Sequence, residues 1–344
     1  MRVGPDGGDP CGRKVSLTGI PFDVTRASEP PAPPLRDLVA RDRTRRARAF
    51  GYHVGDRLTG LSGRLLHELM RHLPPAQVSW IGSLLGGPAS WLYRRRIFAR
   101  RMAANLRHLR PDVAAQPALE AQLLRRWWGN TGRAYAEYAS VERLWPAGLI
   151  EVHGREHHDA ALQDGRGVLF ACVHLGNWEG LAACLPHLTG GPVIGTYQDE
   201  PNRFTNRLIH ALRKRRGQYI FPPGRASAGP LYRLTVSRTV TTYLYVDEVR
   251  DRQVHMPLFG REIPETGNIV NVVKLARSAS ARIVPAALIR GDGPRLTLTL
   301  LPAIEPQELE TTIRALDAAL TPLVLAHLDQ WYMLPELRLP QTGA

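Results

Sequence analysis

The chain has 344 residues, 44% of them hydrophobic, which is enough for one large domain or two ordinary ones. Its 45 Lys+Arg against 31 Asp+Glu give a net charge of +14, a field that attracts nucleic acid, anionic lipid or an acidic carrier protein without choosing among them. Three cysteines, Cys11, Cys172 and Cys184, with no CxxC pair argue against a disulfide framework, and the lack of an apolar h-region or of ~18 uninterrupted apolar residues supports neither a secretory signal nor a confident membrane span.

In chain order, residues 1–55 are rich in Pro, Gly and Arg. They include EPPAPP at 29–34 and RDRTRRAR at 41–48, and are expected to form a basic, poorly ordered leader. From about residue 58 the text is helical: LSGRLLHELMRHL steps its apolar residues by three and four. The stretch at 73–93, with its Pro and Gly, suits a peripheral or re-entrant membrane contact better than a span. WLYRRRIFARRMAANLRHLR, 91–110, reads as one amphipathic helix with seven arginines, a pattern for a membrane surface or an acidic partner; its bland reading is a solvated face. Residues 119–144 read as a further long helix.

After Pro146 strands and helices alternate. Strands are expected at 149–154, in GVLFACV, at 192–197, at 239–246 and in RIVPAALIR and RLTLTLL; helices at 157–165, 177–188, 202–217 and in IVNVVKLARSAS. That alternation predicts an α/β fold with a central, mostly parallel or mixed sheet flanked by helices. The expected division is a leader over 1–55 and one domain over 56–344, helical and membrane-facing in 56–145 and α/β in 146–344.

Within VLFACVHLGNWEG, His174 follows a buried strand at the carboxyl edge where open α/β sheets bind ligands. Gly176 and Asn177 supply the turn, with Asn177 as a helix cap, and Glu179 lies in the first helical turn. On such a corner Glu179 can fold back and orient the imidazole, leaving His174 as general base for a hydroxyl. A structural histidine beside a helix-N-terminal glutamate is the bland alternative. A zinc site lacks a clear third ligand, so no metal is expected.

The string GRGVLFACVHLGNWEG resembles the signature of the bacterial lipid A biosynthesis acyltransferases, the HtrB-like late acyltransferases, a family that includes phosphatidylinositol mannoside acyltransferases. The resemblance extends in order through VHGREHHDAALQDGRG, YQDEPNRFTNRLI, VHMPLFGREIPETGN, RIVPAALIRGDGPRLTLTLLPAIE and LDQWYMLPELR, covering roughly 90–340. It implies a glycerolipid-acyltransferase-like fold behind an N-terminal helical, membrane-associating region. It also implies His174 as base with Glu179 as its acidic partner, and an acyl thioester of acyl carrier protein or coenzyme A as donor. The implied acceptor is a membrane lipid such as a lipid A precursor or glycolipid. Asn177, Arg203, Asp247, Thr266 and Gly267 are the expected substrate-binding positions. The chain departs from the pattern in Gln198-Asp199 after Tyr197, where the family usually has Arg, and in Glu248 after Asp247, where it often has Gln.

The reading that results is an O-acyltransferase, without cofactor or metal, docked on an anionic surface at the cytoplasmic face of the inner membrane. The competing readings are a catalytically silent lipid-binding relative and a basic nucleic-acid-binding protein. The latter lacks a recognised motif or an aromatic platform, so no nucleic-acid partner is expected.

Overall fold

The computed structural model of the protein describes residues 27, 29–200, 202–222 and 224–339. Cys11 and the first 26 residues of the expected leader lie outside them. EPPAPP is irregular, but the basic stretch after it is not: α1 spans Arg43–Phe50, with the Asp42 carboxylate accepting from Thr44 and Arg45 N–H at its start.

The helical layer continues as α2 (Asp56–Met70), α3 (Pro75–Tyr93), α4 (Ile97–Leu109), α5 (Pro111–Ala114), α6 (Pro117–Glu137) and α7 (Val141–Leu144). The long helix expected over 91–110 is broken: Arg96 is extended (φ −74°, ψ 149°), so the apolar α3 ends and the amphipathic α4 begins around three successive arginines. The helix expected over 119–144 likewise stops at Glu137 and restarts at Val141. Helices α3 and α6 pack backbone against backbone, because a side chain at Gly82 or Gly86 would run into the main chain of α6 at Gly132 or Trp128. Among the described residues no helix is long and apolar enough to cross a membrane.

The α/β part follows as β1 (Ile150–His153), α8 (Arg155–Leu162), β2 (Gly167–Cys172), α9 (Trp178–Thr189), β3 (Val193–Thr196), α10 (Arg203–Arg215), β4 (Gln218–Phe221), α11 (Arg225–Ser237), β5 (Thr241–Tyr245), the small hairpin β6 (Val249–Arg250) and β7 (Gln253–Val254), α12 (Asn268–Ser278), β8 (Ala281–Arg290), β9 (Leu296–Leu300) and α13 (Leu309–Ala326). Seven strands form one sheet in the order β1-β9-β8-β2-β5-β3-β4. Only the β8–β9 pair is antiparallel, so the expected mixed, mostly parallel sheet with flanking helices is present.

The central strands are apolar on both faces because both faces are covered. Leu169, Ala171 and Val173 join one core with Leu244, Val246 and residues of α12 and α13; Phe170 and Cys172 join the other with Tyr243 and α9. Cys172 and Cys184 are buried free thiols. Strands β3 and β5 pair only at Val193–Thr241 and Ile194–Thr242. Beyond that register the sheet is unpaired, and a cleft lined by Thr196, Tyr197, Tyr243 and Tyr245 opens at the carboxyl edge.

Candidate active site

Two neighbouring parallel strands, β2 and β5, place the first two groups. Cys172 lies opposite Tyr245, so the same register carried two residues on sets His174 opposite Asp247. His174 donates its backbone N–H to Asp247 Oδ2 at 2.8 Å, and its Nδ1 lies 2.7 Å from Asp247 Oδ1. Trp331 donates from Nε1 to Oδ2 at 3.0 Å, so the fully buried Asp247 carboxylate is held from three directions. With Nδ1–H committed to Asp247, Nε2 is the imidazole nitrogen left to take a proton in the cleft. The ring is fixed further by stacking on Tyr245, 4.0 Å between centroids, and by Tyr332 N–H donating to the His174 carbonyl at 2.9 Å. The turn that ends β2 passes so close to β8 that a Cβ at Gly176 (φ 55°) would strike the Leu288 carbonyl.

Glu179 also lines the cleft, but its carboxylate, buried in the first turn of α9, is engaged by arginines: Arg213 Nε donates to Oε1 at 2.8 Å and Arg216 lies 3.7 Å from Oε2. Burial alone would raise its pKa, but the charges of Arg213 and Arg216 outweigh burial and hold the carboxyl below its ordinary value. The Glu179 carboxylate in turn raises the Arg213 pKa against the penalty of burial. The carboxylate in contact with the imidazole is thus that of Asp247, a residue expected to touch substrate, and not that of Glu179.

The other expected contacts are dispersed. Asn177 is buried as the cap of α9, accepting from Gly180 N–H at 2.7 Å and donating to Glu137 Oε2 at 2.6 Å. Arg203 lies outside the cleft: it sits over the Tyr52 ring at 3.6 Å, donates to the Tyr52 carbonyl and faces Asp56. It is drawn there because α10 packs on α2, where Gly60 meets Phe204. Thr266 is exposed, and Gly267 (φ 111°) precedes α12. A Cβ at Gly267 would come within 2.7 Å of Glu248 Oε1, so the bare glycine lets Glu248 accept the Asn268 N–H at 2.5 Å.

The cleft around His174 measures about 1390 Å³. Near the imidazole its walls are aromatic: Trp178 packs on Tyr332 at 4.4 Å, and the Tyr135 and Tyr332 hydroxyls meet at 2.7 Å. Tyr245 spends its hydroxyl on the Trp178 carbonyl, and burial pushes its pKa well up, so it is a neutral stacking partner. Elsewhere along the cleft, Ala228 and Leu231 of α11 supply apolar lining, while the exposed Arg250, Lys274 and Arg277 add positive charge. Gln198 donates to the Val249 carbonyl at 2.9 Å and so braces the β6–β7 hairpin at the rim. Among the described residues no three His, Cys, Asp or Glu side chains converge as a metal site. A histidine with one nitrogen held by a buried carboxylate and the other free, in a large cleft with apolar and cationic walls, suits deprotonation of a hydroxyl bound beside a long-chain substrate.

Residues 63–338 match the family model described as bacterial lipid A biosynthesis acyltransferase. No curated protein matches the chain.

Proposed function

The chain belongs to the bacterial lipid A biosynthesis acyltransferase family, and on that footing we propose that His174 and Asp247 transfer a fatty acyl chain from a thioester to a hydroxyl of a membrane lipid. The observation that carries this reading is the 2.7 Å contact between His174 Nδ1, in the wall of the cleft, and the buried Asp247 Oδ1 behind it. Nε2 takes the proton of the acceptor hydroxyl as its oxygen attacks the thioester carbonyl carbon. The tetrahedral adduct collapses with cleavage of the C–S bond, and the proton passes from the imidazolium to the leaving thiolate. Asp247 keeps the productive tautomer and balances the transient positive charge. The donor is acyl carrier protein or acyl-CoA, and the acceptor a lipid A precursor or glycolipid. A cleft of about 1390 Å³, above the usual ~300–1,000 Å³ of small-molecule sites, leaves room for two long substrates.

The reaction needs a lipid surface, and the helical layer offers one. On α2, Leu58, Leu61, Leu65 and Leu69 are half or more exposed along one stripe, with Arg57, Arg64 and Arg71 seven residues apart beside it. On α3, Trp80, Leu84, Trp91 and Leu92 are exposed in the same way. Apolar residues flanked by arginines match the acyl boundary and anionic head groups of a bilayer, so the protein docks peripherally, at the cytoplasmic face of the inner membrane. The docking face expected at 73–110 and 41–48 extends in this way to α2.

The test is incubation of the purified protein with radiolabelled acyl-CoA or acyl carrier protein and a bacterial lipid extract, followed by lipid mass spectrometry. One lipid class should gain one acyl mass with wild type and none with His174→Ala. Equal transfer by the two proteins would refute the reading.

A further inference from the structure

A second cavity lies away from His174, where α3 and α6 meet the turn between β8 and β9. Its walls include Ser83 of α3, Arg125, Arg126 and Arg133 of α6, Arg290 at the end of β8 and Asp292 of the turn. Four guanidinium groups thus face one carboxylate. Two of them are already matched: Arg126 Nε lies 2.9 Å from Asp329, and the two terminal nitrogens of Arg290 lie 2.9 and 2.5 Å from Glu137. The remainder are not. Among the described residues Arg125 and Arg133 take part in no ion pair, and Arg133 donates to the neutral Ser79 hydroxyl at 2.8 Å. Arg290 is 95% buried, and its Nε has no hydrogen-bond partner. The cavity wall thus holds two arginines, Arg125 and Arg133, without a carboxylate partner, beside an Arg290 whose Nε is also unpaired.

The location narrows the anion that would match them. At about 100° per residue, Ser83 lies about 60° round α3 from Trp80 and about 100° from Leu84, both on the exposed apolar face. The cationic cavity therefore borders the residues that would enter a bilayer. Planar guanidinium forks match phosphate oxygens bidentately, better than an ammonium does.

We infer that Arg125, Arg133 and Arg290 form a binding pocket for the phosphate monoester head group of an anionic membrane lipid, separate from the acyl-transfer cleft. The acyl chains of that lipid lie along Trp80 and Leu84 while its phosphate enters between α3 and α6. Burial of Arg133, with the Arg290 charge beside it, lowers its pKa, and an incoming phosphate relieves this cost. The bound lipid fixes the orientation of the helical layer at the surface.

The experiment is co-sedimentation of the full chain with phosphatidylcholine vesicles carrying either phosphatidic acid or phosphatidylserine at matched surface charge. Its readout is binding, so it fails or succeeds independently of acyl transfer. Wild type should partition at least about fivefold better into the phosphatidic acid vesicles, the equivalent of one specific cationic contact. Arg125→Ala/Arg133→Ala should erase that preference. Arg133→Lys, which keeps the charge and the fold, should weaken it, and Asp292→Asn should strengthen it. Equal partition of wild type between the two vesicles overturns the inference, as does a preference that survives in the double variant. Titration with inorganic phosphate alone distinguishes the source: binding to it as tight as to the vesicles would assign the pocket to a soluble anion and overturn the lipid assignment.

Discussion

His174 and Asp247 stand 73 positions apart in the chain and 2.7 Å apart in the fold, brought together by the pairing of β2 with β5. The two acidic residues near the histidine differ in their contacts: Asp247 meets its ring, and Glu179 pairs with Arg213 of α10 and Arg216 just after it. Substitutions at the two positions should therefore separate activity from stability.

Glu179→Gln should be mainly a stability variant. It removes the carboxylate that compensates Arg213 and Arg216 and leaves buried charge unpaired, a loss of about 3–5 kcal/mol. The pH dependence follows from the direction of the shift. The folded-state pKa of Glu179 lies below its ordinary value, so its contribution is present above the ordinary carboxyl range and is lost as pH falls through the depressed value. Urea unfolding at about pH 7 and about pH 3 should show a large gap between wild type and variant at the higher pH and a smaller one at the lower. A gap independent of pH would contradict this.

Glu248→Gln should stabilise the protein at neutral pH. Burial raises the Glu248 pKa above its ordinary value, and the donated Asn268 N–H only partly offsets it. The native state thus holds this proton more tightly than the unfolded chain, and stability falls as pH rises from the ordinary carboxyl range through the raised value. A glutamine keeps the acceptor for Asn268 and removes the charge. Thermal melting should show a gain of a few degrees at about pH 8 and almost none at about pH 4. A lower melting temperature at both would show that the charge itself is needed for folding.

Leu61→Glu/Leu65→Glu should detach the protein from lipid without unfolding it, because both side chains already face solvent. Loss of two apolar insertions and gain of two negative charges should lower partition into anionic vesicles at least about tenfold. Unchanged flotation with vesicles would place the docking face elsewhere on the molecule.

The α/β part was legible in sequence because strands buried on both faces read as runs of apolar, β-branched and aromatic residues, GVLFACV and TVTTYLYV, punctuated by capped helices. The β4 strand QYIF and helix α11 escaped notice: four residues make a weak run, and α11 carries Gly229 and Pro230 in its interior. Helix α13 was also missed, with Pro322 inside it. The break between α3 and α4 had no signal, since three arginines favour a continuous helix. His174 was legible from its place after a buried strand. Its partner was not, because the nearest carboxylate in sequence, Glu179, competes with one whose proximity depends on strand order. Position alone gave a hint: Asp247, like His174, stands two residues past the end of its strand.

The most direct measurement is single-turnover acyl transfer by purified Asp247→Asn and Glu179→Gln, each normalised to the folded fraction. Asparagine at 247 no longer fixes the Nδ1–H tautomer or balances the imidazolium, so the rate should fall about 10³–10⁴-fold. Glu179→Gln should stay within about tenfold of wild type, a loss of no more than about 1.4 kcal/mol in the barrier. A reversal, with Asp247→Asn near wild type and Glu179→Gln nearly inactive, would show that the acidic residue five positions after His174 is its working partner.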